Sequence, residues 1–167
     1  MAQPIWTLLP ATMPMQVQRQ WCWAAVAVSV ARFYDPARVV NQCDLLNQRF
    51  GQTDCCQVGA DPACDRASRL SHGLKLVGHL GPVEDRAEPF DAVRAEIVSG
   101  RPVGAGIRWR YRGGAHAVLI IGVSSTRRFR ILDPNWVDVD GSDYSVSELR
   151  NVYEGEGSWF RTYYTRP

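Results

Sequence analysis

The sequence predicts an α+β fold, with helices first and an antiparallel sheet second. Three observations carry that prediction. Up to about residue 99 the apolar residues recur with helical spacing. From Val103 the period changes to two. The later strands are joined by short polar turns, so they return on one another as hairpins. No composition shift, repeat or linker divides the chain, and its 167 residues suffice for one core, so residues 1–167 read as a single domain.

Taken in order, residues 20–34 read as a helix that is apolar nearly all round and therefore buried. Asp35-Pro36 ends it, and the same pair suits the N-cap and first position of a second helix. That helix carries Val39, Val40, Cys43, Leu46 and Phe50 on one face and stops at Gly51. A polar cysteine-bearing loop, 51–64, comes next. A short helix is expected from Asp65 to His72, closed by Gly73, and another from Pro89 to Ser99, stopped by Gly100-Arg101-Pro102. The strands are 103–109, "HAVLIIGV" at 116–123, "RFRILD" at 128–133, and "SWFRTYY" near the end, with "SSTR" turning between the second and third.

Composition excludes several classes. A formal net charge of +2 argues against nucleic acid as a partner. The longest apolar run, Trp21 to Val28, is too short to span a bilayer, so no membrane partner is expected. The opening residues lack the basic and continuous apolar regions of a secretory signal peptide. Of nineteen basic residues only Lys75 is a lysine, which fits a GC-rich coding sequence and, less directly, selection against ubiquitination sites. No cofactor and no metal is expected: adjacent Cys55 and Cys56 fit poorly with zinc-ligand spacing.

Five cysteines split into four between Cys43 and Cys64 and one, Cys22, alone. The four read as two disulfides that pin loop 51–64 to the second helix, Cys55 and Cys56 each reaching a separate partner, Cys43 or Cys64. Disulfides imply an oxidising destination.

Cys22 sits in the first turn of the buried helix, where the positive end of the helix favours a thiolate. A thiolate needs a base, and His72, His79 and His116 are the candidates. His116 alone opens the most apolar strand. If 124–127 is the turn, Val123 faces Arg128 and His116 falls opposite Asn135, with Asp133 a diagonal step away and on the same face. Either residue can orient the imidazole. The Cys22 N–H is one oxyanion donor, and Gln16, Gln18 or Gln20 can supply a side-chain amide, Gln20 being also a candidate helix cap. Trp23 is expected beneath this group, Trp136 as a shield over the His116–Asp133 contact. The arginines of "RWRYR" and "RRFR" read as solvated strand edges or as contacts for an acidic substrate patch.

Gln16, Cys22-Trp23, a Gly-rich approach to "HAVLIIG", and "ILDPNW" stand in the order of the motifs of papain-like cysteine peptidases. The chain most resembles the compact bacterial branch, which includes effector peptidases of plant pathogens and double-glycine leader peptidases. The resemblance implies Cys22 as nucleophile, His116 as base, Asp133 as orienter, Gln16 as oxyanion donor, and a protein or peptide substrate cleaved through a thioester. The "CGSC" context of plant and lysosomal papains is replaced by "RQWC", and the third residue is Asp rather than Asn. A transglutaminase-like or other acyl-transfer enzyme with the same triad is the alternative, as is a leader-peptide peptidase. Disulfides without a classical signal point to an exported effector or toxin domain, with a cognate inhibitor or immunity protein as a further partner and a cytoplasmic enzyme as the alternative.

Overall fold

In the computed structural model, which describes residues 3–136 and 139–167, helices precede an antiparallel sheet, the α+β order the sequence predicts. A short strand β1 (Trp6–Leu8) comes before α1 (Cys22–Tyr34), α2 (Gln42–Phe50) and α3 (Leu70–Val77). Strand β2 (Leu80–Glu84) and α4 (Phe90–Val98) lead into β3 (Val103–Trp109), β4 (Ala115–Ser124), β5 (Arg128–Leu132) and β6 (Ser142–Ser145). Helix α5 (Val146–Asn151) and strand β7 (Gly157–Thr165) complete the chain. The strands lie in the order β2-β7-β3-β4-β5-β6, with β1 paired to β4. Gly122 pairs with Leu8 on one side and Arg130 on the other, so β1 continues the edge of β4 that β3 leaves at Ile120. Among the described residues no helix is long and apolar enough to cross a membrane.

Helix α1 is the centre of the helical layer. Its residues Trp23 to Ala31 are all buried, as an all-round apolar helix requires. Each fully buried valine of the three, Val26, Val28 and Val30, stabilises the fold by about 1.5–3 kcal/mol. One face packs with Leu45, Leu46 and the cysteine loop, and the other meets Leu70, Leu74 and the β4 residues Ala117, Leu119 and Ile121. The opposite face of the sheet, through Val118 and Ile120, packs on α4 and α5.

Two helices differ in their bounds from expectation. The second helix starts at Gln42, not at Pro36. Asp35 instead closes a turn, its carboxylate accepting from the Ala37 N–H, and Val39 is exposed rather than inward. The third helix covers Leu70–Val77 and ends at Gly78, not Gly73. Where the expected helix would begin, two carbonyls are instead bonded to indoles: Trp21 Nε1 donates to Cys64 O and Trp23 Nε1 to Arg66 O. Gly73 is a close-packing position, since a Cβ there would lie 2.9 Å from the Ala27 Cβ and 3.1 Å from the Trp23 carbonyl oxygen. The sulfurs of Cys43 and Cys56, and of Cys55 and Cys64, lie at bonding distance, and the two pairs fasten the 51–64 loop to α2 and to itself.

Candidate active site

Trp21 occupies the cap position before Cys22, with no side-chain cap and no acidic residue in the first turn. Gln20 therefore does not cap the helix; its N–H donates to Asp65 Oδ1 at 2.8 Å. The positive end of α1 is left facing the Cys22 position. Cys22 is half-buried and is the free cysteine of the five.

His116 lies one residue inside β4. Near the hairpin Val123 faces Phe129 rather than Arg128, but a bulge at Ile121 absorbs the extra residue. Leu119 then faces Leu132, which projects His116 toward residue 135 and puts Asp133 just beyond the end of β5. His116 Nε2 bonds Asp133 Oδ1 at 2.7 Å, and both side chains are buried. The other ring nitrogen, Nδ1, is not used by Asp133, and Cys22 stands beside the imidazole, where the two line the same cleft. Asn135 Nδ2 is 3.4 Å from the same Nε2, but that nitrogen is already committed to Asp133. What Asn135 gives is its backbone N–H, which donates to Asp133 Oδ1 at 2.8 Å.

Asp133 has a further partner that the sequence reading missed. Tyr153, fully buried, donates its hydroxyl to Asp133 Oδ2 at 2.5 Å. Burial and the Asp133 charge push the tyrosine pKa up, so the hydroxyl stays a donor. Trp109 was missed as well. Its ring stacks on His116 with centroids 5.8 Å apart, and Arg112 covers its other surroundings at 3.9 Å from the ring centroid. The expected shield, Trp136, is instead 56% exposed. Trp109 precedes the Gly113-Gly114 turn opposite the start of β4, so strand register could have found it; nothing local marks Tyr153.

Burial opposes a charge on His116, but the hydrogen bonds to Asp133 and Cys22 outweigh it and hold the pKa at about 9. Burial likewise opposes the Asp133 charge, and the bonds from His116, Tyr153 and the Asn135 N–H reverse that, leaving its pKa lowered. The arrangement keeps an imidazolium beside the Asp133 carboxylate across neutral pH.

Cys22 and His116 open onto two hollows. A cleft of about 740 Å³ extends past Gln16, Trp109, Arg112 and Asn135. A smaller one, about 260 Å³, is lined by Leu70, Gly106, Ala115, Ala117 and Phe160. Gln16 lines the large cleft, but its amide nitrogen donates to Gln18 O at 3.0 Å and Arg19 O at 2.9 Å, while its amide oxygen is buried without a partner. Trp23 packs away from the cleft, edge-on to Phe50. His72 and His79 are engaged elsewhere, with Ser68 and with the Arg166 carbonyl. The arginines of the "RRFR" stretch form strand-edge ion pairs, Arg127 with Asp91, Arg128 with Glu148 and Arg130 with Asp143.

A free cysteine at a helix start, a buried histidine–aspartate pair on a following antiparallel sheet, and a cleft running past them belong to a cysteine peptidase of the papain-like class. Residues 5–151 match the family described as papain-like cysteine protease AvrRpt2, and the chain belongs to that family. The peptidase domain of Streptococcus ComA, a bi-functional ABC transporter involved in quorum sensing, is similar in fold, with TM-score 0.62 and 14% identity over 94% of this chain and 99% of that one. Xylellain, a cysteine protease from Xylella fastidiosa, aligns with TM-score 0.45 and 15% identity over 96% of this chain and 87% of that one. No individually curated protein matches the sequence.

Proposed function

We propose that this cysteine peptidase cleaves a protein or peptide substrate through a thioester on Cys22, as an exported effector or toxin domain spanning residues 1–167. The observation that carries the assignment is the buried 2.7 Å bond between His116 Nε2 and Asp133 Oδ1, with the free Cys22 lining the same cleft as His116. The Cys22 thiolate attacks the scissile carbonyl carbon. His116, charged up to about pH 9, protonates the departing amine and then takes a proton from the water that hydrolyses the thioester. Asp133 keeps Nε2–H pointed at itself and so leaves Nδ1 for the reacting atoms. The Cys22 N–H and the Gln16 amide stabilise the oxyanion. For that, the developing negative charge has to draw one Gln16 N–H away from the loop carbonyls that hold it, which a neutral ground-state carbonyl does less well.

The small hollow beside Cys22, walled by Leu70, Ala115, Ala117 and Phe160, suits an apolar substrate side chain. The paired cysteines support an oxidising destination. The test is a comparison of new protein N-termini generated in a proteome by the wild type and by Cys22→Ala, together with labelling by a papain-directed epoxide. New termini confined to the wild type, with apolar residues recurring at one fixed position before the cut and the label on Cys22 alone, are expected. Equal termini from both proteins, or label on another cysteine, would overturn the assignment.

A further inference from the structure

Gln42 opens α2 far from the reacting atoms in sequence, yet it is 6% exposed. Burying an amide is costly unless its polar atoms are bonded. Both are bonded here, and to one stretch of backbone: Gln42 Nε2 donates to Met15 O at 2.8 Å, and the Val17 N–H donates to Gln42 Oε1 at 3.1 Å. These two groups flank Gln16. In an extended segment the carbonyl before a residue and the N–H after it point to one side, while the residue's own N–H points to the other. On that other side the Gln16 N–H donates to Pro134 O at 2.8 Å, directly after Asp133. The backbone at Gln16 is thus gripped from α2 on one edge and from the Asp133–Pro134 turn on the other.

We propose that Gln42 is a positioning residue: its amide fixes the backbone of residues 15–17 and thereby sets where the Gln16 amide stands beside Cys22. The inference rests on the oxyanion role proposed for Gln16. It explains why this buried side chain is an amide, because an amide pairs with backbone as a strand does and an aliphatic residue of the same size cannot. It also gives the cysteine pairs a use, since Cys43, the neighbour of Gln42, ties this end of α2 to the loop through Cys56.

Two small electrophiles separate this role from general damage. Iodoacetamide alkylates Cys22 by displacement at carbon and builds no oxyanion. p-Nitrophenyl acetate acylates it through a tetrahedral oxyanion, the acetyl group passing to sulfur and p-nitrophenolate leaving. Gln42→Leu should slow acylation about tenfold while alkylation stays within about twofold of the wild type. In a Gln16→Ala background, which is itself slow in acylation, Gln42→Leu should add nothing. Gln42→Glu keeps the acceptor for the Val17 N–H and provides a second test should the leucine variant fail to fold. Its acylation should be slow at pH 8 and recover toward wild type as the carboxyl protonates and can again donate to Met15 O. Equal loss in both reactions, no loss at all, or an independent loss in the Gln16→Ala background would overturn the proposal. An unaffected Gln16→Ala acylation would instead remove the oxyanion role of Gln16, on which the proposal stands.

Discussion

The two halves of the cleft are held by different means. On the sheet side, His116 and Asp133 are fixed by buried side-chain hydrogen bonds and stacked rings: Tyr153 on the carboxylate, Trp109 on the imidazole. On the helical side, Cys22 and Gln16 are fixed through backbone, by Gln42 on residues 15 and 17, by Asp65 on Gln20, and by the Cys64 and Arg66 carbonyls that receive the Trp21 and Trp23 indoles. The first arrangement depends on packing that a sheet provides. The second depends on polar loop segments with little to bury, whose ordering entropy is offset by the two cysteine pairs. A peptidase built this way has one half whose geometry is intrinsic to its core and another whose geometry is conditional on loop closure.

The largest expected effect tests the sheet half. Asp133→Ala should lower kcat/KM on the order of 10²-fold or more, because His116 loses the bond that fixes its tautomer. Asn135→Ala keeps the backbone N–H on Asp133 and should cost far less. The pH profile adds a signature. His116 is held at about 9, above its ordinary 6.5, so its paired form stabilises the protein fully below about pH 6.5 and that contribution is lost as pH rises through about 9. Without Asp133, burial is left opposing the imidazolium with only Cys22 in its favour, and the alkaline limb of activity should move to lower pH. An unmoved limb, or a larger loss from Asn135→Ala, would shift the orienting role to Asn135.

The same contrast decides what could be read from the sequence. The sheet side was legible because strand alternation and a hairpin turn fix register, and register alone brings residues 116 and 133 together; the bulge at Ile121 restored the count that the turn had shifted. Helix α1 and Cys22 at its start were legible from an unbroken apolar run that only a buried helix fits. The misplaced starts of α2 and α3 have one cause. Asp35-Pro36 and Asp65 carry local helix-start chemistry, but the chain there is committed to tertiary bonds, Arg32 to the Val40 carbonyl and Gln20 to the Asp65 carboxylate. Strands β1, β2 and β6 bury none of their residues fully and so show no apolar alternation. Tyr153 follows a six-residue helix and reaches Asp133 through the turn of the whole sheet, which no local spacing encodes.

A second, intermediate effect tests the helical half. Replacing Cys55 and Cys64 together by serine removes one clamp and should cost about 2–3 kcal/mol of stability for a loop this short. The loss should be uneven. Protection of the Gln20 amide and the Trp21 indole against hydrogen exchange should fall, because both bond residues 64 and 65. The His116 ring proton facing Asp133 should keep its position in the proton spectrum. Equal loosening on both sides would mean that the halves open as one unit and that the distinction drawn between them is wrong.

The smallest effect is expected from Tyr153→Phe, which removes one oxygen atom from the sheet half and leaves the ring in its tilted contact with Trp109. The hydroxyl is one of the bonds that hold the Asp133 pKa below its ordinary 3.8. A carboxylate depressed in this way stabilises the fold above its unfolded pKa, and that contribution is lost as pH falls through the lower folded value. With phenylalanine the folded pKa rises toward 3.8, the difference shrinks, and the acid-unfolding midpoint should move to higher pH. At neutral pH the His116 bond remains, so kcat should fall by only about threefold to tenfold, with KM unchanged, since a hydrogen bond to a charged group contributes about 1.5–3 kcal/mol and part of it is regained by water. An acid midpoint that stays where it is, with stability lost equally at every pH, would show that Tyr153 acts through its ring alone. Asp133 would then be held by His116 and the Asn135 N–H, and the sheet half would depend on backbone much as the helical half does.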